Sequence, residues 1–379
     1  MALGTARAAE PARVSIAYLA LAPKRATPQT VVAPPPTDEG VQGARLALQD
    51  NQTTGRFLNQ SYAMSEAIEP DEARVLATAR ALFEGGAKVV VADLPAALLV
   101  QVADLPGASG AAILNATAPD DSLRGANCRA NVFHLLPSRA MLADALMQFL
   151  AVKRWRNILL VQGPADEDRA YADALRRAAR KFQVRIVADK PWTFVRGAQR
   201  TDTGHMSIAA EAARFTQGVS YDVLVVADTS LDNFGDDLAY RTTDPRPIAG
   251  THGLVPTAWA PPFEQWGATQ LQLRFLRQAN RLMTPRDFGA WMAVRAIGEA
   301  ATRGSAGDVA GYLRSPQFEM AAFKGARLTF RRWDGQLRQP VLLADARSLV
   351  GVSPQPGYLH QFSELDTLGI DQPETSCKF

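Results

Sequence analysis

Residues 88–92 read Lys-Val-Val-Val-Ala. The run is too short for a helix, is rich in β-branched residues and has no polar face, as expected of a strand inside a parallel sheet covered on both sides. Working outward, Asp71 to Phe83 has helical spacing and stops at Gly85-Gly86, and Tyr62 to Ile68 alternates like a half-buried strand. Before these, Val14 to Leu21 reads as a strand. A Pro-rich loop follows it, and then a helix over Asp38 to Gln49 opening on an acidic N-cap. After them come a helix near Pro95 to Val102 and a strand at Ala111 to Leu114. Past Asn131 to Leu136 the cycle restarts, with Asn157 to Val161 (NILLV), Val184 to Ala188, Asp222 to Ala227 (DVLVVA) and the shorter Pro247 to Ala249 as strands. Helices are expected at Ser138 to Val152, Glu167 to Phe182 and His205 to Gln217. This alternation predicts an α/β protein of two lobes, each a mainly parallel sheet flanked by helices. Pro261 to Arg303 turns helical, and Asp334-Gly335 between Ala326 to Trp333 and Pro340 to Ala344 predicts a final hairpin.

The 379 residues carry 41 Lys and Arg against 38 Asp and Glu, with the basic residues scattered rather than striped, which excludes a nucleic-acid surface. No run reaches the roughly 18 to 20 apolar residues of a membrane span. Met1 to Arg13 lacks the apolar centre of a signal peptide, yet Ala6-Arg7-Ala8-Ala9 has the small residues of a cleavage region. It reads as the remnant of an exported precursor, the alternative being a cytosolic chain with a disordered leader. The two cysteines, Cys128 and Cys377, fit no metal spacing. In an exported chain such a pair points to one disulfide that ties the tail to the middle, and two unrelated thiols are the other reading.

No phosphate loop, dinucleotide fingerprint, nucleophile elbow or zinc-protease motif occurs, and His134, His205, His252 and His360 are not spaced to share a metal. The chain therefore reads as a binding protein rather than an enzyme, with no catalytic or metal-ligating residue assigned. Ligands of open α/β sheets bind beyond the carboxyl ends of the strands. That rule selects the loops at Lys24-Arg25, Asp93-Leu94-Pro95 and Asn115-Ala116-Thr117 in the first half. In the second it selects Gln162 to Pro164, Trp192 to His205, Asp228 to Ser230 and Thr251 to Gly253.

The order of these pieces resembles the type I periplasmic binding proteins of ABC transporters, the group that includes branched-chain amino-acid receptors. The resemblance rests on Asp38-Glu39-Gly40 through Asp50-Asn51, Tyr171 to Leu175, Thr201-Asp202 and Leu328-Thr329-Phe330 with Asp334-Gly335-Gln336. It implies a monomeric periplasmic protein with a three-segment hinge, closing over a small solute and serving a permease. Lobe 1 would comprise residues 13–136 and 255–323, and lobe 2 residues 137–254 and 324–350. Residues 351–379 would return as a tail toward the hinge and lobe 1. Asn115 and Thr117 match a first-lobe loop that hydrogen-bonds the ligand, and Tyr171 a residue that packs on it. His252 stands where amino-acid receptors carry a carboxylate, and Asp93-Leu94-Pro95 replaces their serine-rich loop. Both departures speak against an ordinary amino-acid ligand.

A narrower likeness lies in residues 51–57 (NQTTGRF), 200–205 (RTDTGH), 252–259 (HGLVPTAW) and 374–377 (ETSC). These are similar to a subgroup that accompanies pyrroloquinoline quinone (PQQ)-dependent alcohol dehydrogenase systems, which implies PQQ as bound ligand rather than catalytic cofactor. A planar tricarboxylated quinone needs cations for its carboxylates and flat apolar surface for its rings. Lys24 and Arg25 fit as ligand contacts or as solvated loop charges, and Arg200 as a contact or as a partner of Asp202. Trp192 fits as packing under the second lobe or as a stacking surface, while His252 fits cleft exposure. His134 and Arg139 flank the first crossing segment. Another small solute (an aromatic acid, an amide or an alcohol metabolite), a sensor ectodomain and a cleft enzyme are the competing readings.

Overall fold

A computed structural model describes residues 10–23, 36–193, 200–201, 204–205, 208–229, 234–304 and 307–378. The leader Met1 to Ala9 and both Lys24 and Arg25 lie outside these residues. Among the described residues, no helix is long and apolar enough to cross a membrane.

The first lobe is a five-stranded parallel sheet. Its spatial order is Gln60–Glu69, Ala12–Leu21, Val89–Asp93, Ala112–Asn115 and Val132–His134. Alternate residues serve two faces, as the strand period dictates. Ile16, Tyr18, Val89, Val91 and Leu114 pack beneath the helices Val41–Leu58 and Pro285–Arg303. Leu19, Val90, Ala92 and Ile113 pack beneath Glu72–Glu84 and Ala96–Ala103. The second lobe repeats the plan with four parallel strands ordered Ile248–Gly250, Val223–Ala227, Asn157–Gln162 and Arg185–Pro191. Its two apolar layers lie under the helices Arg139–Val152 and Asp166–Lys181 on one face. On the other face Trp192, Ala212, Phe234 and Leu238 cover Leu159 and Val226.

The chain passes between the lobes in three places: after His134, after Gly250 and after Leu337. A small antiparallel sheet at the join pairs Val255–Thr257 with Val341–Ala344, and the latter with Leu349–Ser353. The Asp334-Gly335 turn forms, with Phe330 bridged to Leu337 and Arg331 N–H donating to Gln336 O at 2.8 Å. The strand beyond it pairs elsewhere, so the expected hairpin exists only as a short loop. Leu328, Phe330 and Leu337 join the first lobe's apolar core.

Two helix boundaries differ from the sequence reading. The helix expected over Asp38 to Gln49 runs from Val41 to Leu58, and Gly40 rather than Asp38 precedes it, at φ 79°. Asp38 instead pairs with Arg281 at 2.9 Å. The helix expected from His205 starts at Ile208, because Arg200–Thr201 and Gly204–His205 pair as antiparallel strands.

Cys128 and Cys377 form a disulfide across 249 residues, with their Cα atoms 5.7 Å apart. The tail that it anchors is also held by buried charge. Asp366 accepts from Arg331 and Arg338, and Gly369 N–H donates to the buried Asp144, itself paired with Lys181 and Arg177.

Candidate functional site

The carboxyl ends of the parallel strands form one rim on each lobe. On the first lobe the rim gathers the starts of the helices Val41–Leu58, Ala96–Ala103 and Pro285–Arg303. The last of these begins with Thr284 and Asp287 capping each other and Pro285 at the first helical position. It lies close to its neighbour because residue 43 is glycine: a Cβ there would sit 1.8 Å from the Asp287 carbonyl oxygen.

Asp93, at the end of its strand, is 1% exposed. The Tyr18 hydroxyl donates to its carboxylate at 2.7 Å, and Arg286 Nε donates to both oxygens at 2.9 and 3.0 Å. Burial, followed by the adjacent Asp93 charge, drives the Tyr18 phenol far above its ordinary pKa, so it stays a donor. Asn115 is equally enclosed. Its amide nitrogen donates to Ala118 O and to His134 Nδ1, each at 2.9 Å, and its oxygen accepts from the N–H groups of Thr117 and Ala118. Two donors and two acceptor positions are thus spent, which is the full capacity of an amide side chain. Burial, reinforced by Arg124, holds His134 neutral. With Nδ1 accepting, Nε2 carries the proton toward Leu123 O at 3.2 Å. Thr117 is half-buried, and among the described residues its hydroxyl makes no hydrogen bond. Arg139 is committed to Asp120 at 2.8 Å.

The second rim is looser. Asp168, fully buried in the first turn of its helix, accepts from the Thr229 N–H and hydroxyl and from Ala165 N–H, joining two strand-end loops. Asp228, 3% exposed, accepts from Gly235 N–H at 3.0 Å. His252 Nδ1 meets the Thr251 hydroxyl at 2.9 Å, while its Nε2 lies 4.0 Å from carboxylate oxygens of both Asp228 and Asp236. The ring rests on Gly235, where a Cβ would stand 2.3 Å from Nδ1. His252 therefore keeps one nitrogen beyond hydrogen-bond length of any protein group the structure describes.

Two second-lobe candidates sit inside the apolar layers. Tyr171, 6% exposed, belongs to the core beneath its own helix. Trp192, also 6% exposed, stacks on Phe234 at 4.9 Å with 7° between the planes. The Arg200 backbone lies in its short strand pair, and its side chain is outside the described residues. The sequence reading missed Arg286 and Asp168. The Thr284-Pro285-Arg286-Asp287 cap was a usable signal for the first, and the acidic turn Asp166 to Asp168 for the second.

Two helix-flanked parallel sheets, joined by three crossings with a rim of strand-end loops on each lobe, make up this fold. Among solved structures, the chain is similar to an amino-acid ABC transporter substrate-binding protein from Pseudomonas fluorescens Pf-5. That match has a TM-score of 0.70 at 12% identity, covering 98% of this chain and 100% of that one. A substrate-binding protein from Desulfitobacterium hafniense in complex with Leu gives 0.67 at 16% identity, over 89% and 99%. A solute-binding protein from R. palustris in complex with benzoate gives 0.66 at 13% identity, over 97% and 99%. At these identities the shared property is the fold. No family model matches the chain, and neither does any curated protein.

Proposed function

We propose that this chain is a periplasmic solute-binding protein that closes its lobes over a small ligand and hands it, unchanged, to a membrane permease. The observation that carries this reading is the pair of strand-end rims, one on each lobe, connected by three crossings. We further infer that the solute is PQQ or a similar polycarboxylated aromatic. Two features of the rims support an acid rather than an amino acid. Asp93 is sealed by Arg286 and Tyr18, so it offers no free carboxylate to an ammonium group. His252 presents an imidazole nitrogen in its place. Lys24, Arg25 and Arg200, carried by strand-end loops in the sequence, supply cations for carboxylates. Delivery to a PQQ-dependent dehydrogenase system is the other destination consistent with such a ligand. A smaller aromatic acid is the second reading, favoured by the benzoate held in the R. palustris neighbour.

Isothermal titration of the purified chain with PQQ, benzoate and leucine separates these readings. PQQ should give saturable heat, be recovered unchanged after long incubation, and bind about tenfold more weakly to Arg200→Ala. Tight leucine binding with no PQQ heat would overturn the ligand assignment, and chemical turnover of PQQ would overturn the non-enzymatic role.

A further inference from the structure

A cavity of about 490 Å³ opens between the Ser315–Phe318 loop, the turn at Thr329–Trp333 and the tail at Phe362. None of its lining residues belongs to a strand-end rim, so it is separate from the cleft between the lobes. Its volume falls within the range of small-molecule sites.

The lining has an uncommon composition. Its two charged residues are both arginines, Arg332 and Arg338. Arg338 is largely neutralised: Nε donates to both Asp366 oxygens at 2.9 Å and Nη1 to Phe330 O at 2.9 Å. Arg332 is exposed, and among the described residues its guanidinium has neither an ion pair nor a hydrogen bond. Aromatic residues line the same cavity. Phe362 is 74% exposed, and beneath it Phe318 and Phe330 pack at 5.0 Å into a floor that is nearly closed to water. The indole of Trp333 has the Arg338 guanidinium 5.1 Å from its centroid.

Behind this lining, the Trp333 Nε1–H and the Ser315 hydroxyl are closed to solvent, and the described residues provide a partner for neither. Shielded donors without acceptors are rare in folded proteins, since each forfeits its hydration for nothing. An uncompensated fork of N–H donors beside a strongly exposed phenyl ring defines a ligand class. Its members have a flat apolar body, to lie against Phe362, and a carboxylate, to engage Arg332.

We propose that this cavity is a second ligand site, taking a small aromatic carboxylate independently of the interlobe cleft. The test uses the full chain labelled with 5-fluorotryptophan, the Trp333 resonance being assigned by its loss in Trp333→Phe. Benzoate is the probe, and benzyl alcohol is its uncharged counterpart. Benzoate should shift the Trp333 resonance saturably in the wild type and equally in His252→Ala, which alters only the cleft rim. Arg332→Ala should weaken the response about tenfold or more, and benzyl alcohol should give none. Arg332 is exposed and unpaired, so its removal leaves the fold intact, which an unchanged melting temperature confirms. A Trp333 signal unmoved at millimolar benzoate would overturn the proposal. So would a shift that benzyl alcohol reproduces or that survives Arg332→Ala at full strength.

Discussion

On the first-lobe rim, Asp93 receives one phenol and a guanidinium, and Asn115 has four partners for its four positions. On the second-lobe rim, His252 has one close partner and lies 4.0 Å from two carboxylates. Both rims stand at the ends of parallel strands, yet Asp93 and Asn115 are closed in by their partners while His252 keeps one nitrogen open among the described residues. Buried polar groups that are fully paired hold a surface in one shape, whereas a half-paired group can gain a partner at little cost. Under the proposed binding role, the first lobe is the rigid platform and the second the side that adjusts to a ligand.

The largest expected effect is on the rigid side. Arg286→Ala leaves the buried Asp93 carboxylate with the Tyr18 hydroxyl as its remaining side-chain partner among the described residues. Stranding a buried charge in this way costs about 3–5 kcal/mol. Urea unfolding should show that loss with an unchanged m-value. A variant of wild-type stability that binds its solute more weakly would reverse the roles assigned to the two rims.

That contrast was only half legible in the sequence. The apolar runs announced their strands because burial on both faces leaves no polar residue to place: Val89–Asp93, Asn157–Gln162 and Val223–Ala227 stand where the runs were read. Strand-end geometry likewise put Asp93 and Asn115 on a rim. What each side chain does there was hidden, because its partners are set by the fold. Arg286 is 193 positions from Asp93, and His134 reaches Asn115 only through strand pairing. The Asp334-Gly335 turn shows the same limit in another form. A turn is encoded by two or three residues, but the choice of Val255–Thr257 as a partner for Val341–Ala344 is a long-range event.

The join between the rims carries its own incompletely paired charge, and this gives an intermediate effect. Asp334 is 1% exposed. One of its oxygens accepts from Gln336 N–H at 3.0 Å, and the other is buried with no hydrogen bond. Burial, opposed by Arg331, raises its pKa to about 6. A raised carboxylate pKa means that the folded state binds the proton more tightly than the unfolded one. The corresponding stability is present below the ordinary carboxylate pKa and is lost as pH rises through about 6. Asp334→Asn should therefore match the wild type near pH 4 and exceed it by about 2 kcal/mol at pH 7.5. Denaturation midpoints across that range measure the difference. A constant offset at every pH would place the strain somewhere other than this carboxyl group.

The smallest effect on stability is expected where binding is most sensitive. His252 has one hydrogen bond of ordinary length, to a threonine hydroxyl that also lies 3.2 Å from Val226 O. Removing the imidazole should cost about 0.5–1 kcal/mol or less, since the Thr251 hydroxyl keeps other partners. If Nε2 is the group that meets the solute, His252→Ala should nonetheless weaken binding about tenfold, which is about 1.4 kcal/mol of lost interaction. Gly235→Ala offers an independent route to the same nitrogen. The added methyl needs the space the ring occupies, so it should displace the imidazole without deleting it and lower affinity in parallel. Titration calorimetry on both variants, beside their urea midpoints, separates affinity from stability. Two variants that bind at wild-type strength would move the adjustable contact off this rim, and with it the division of labour between the lobes.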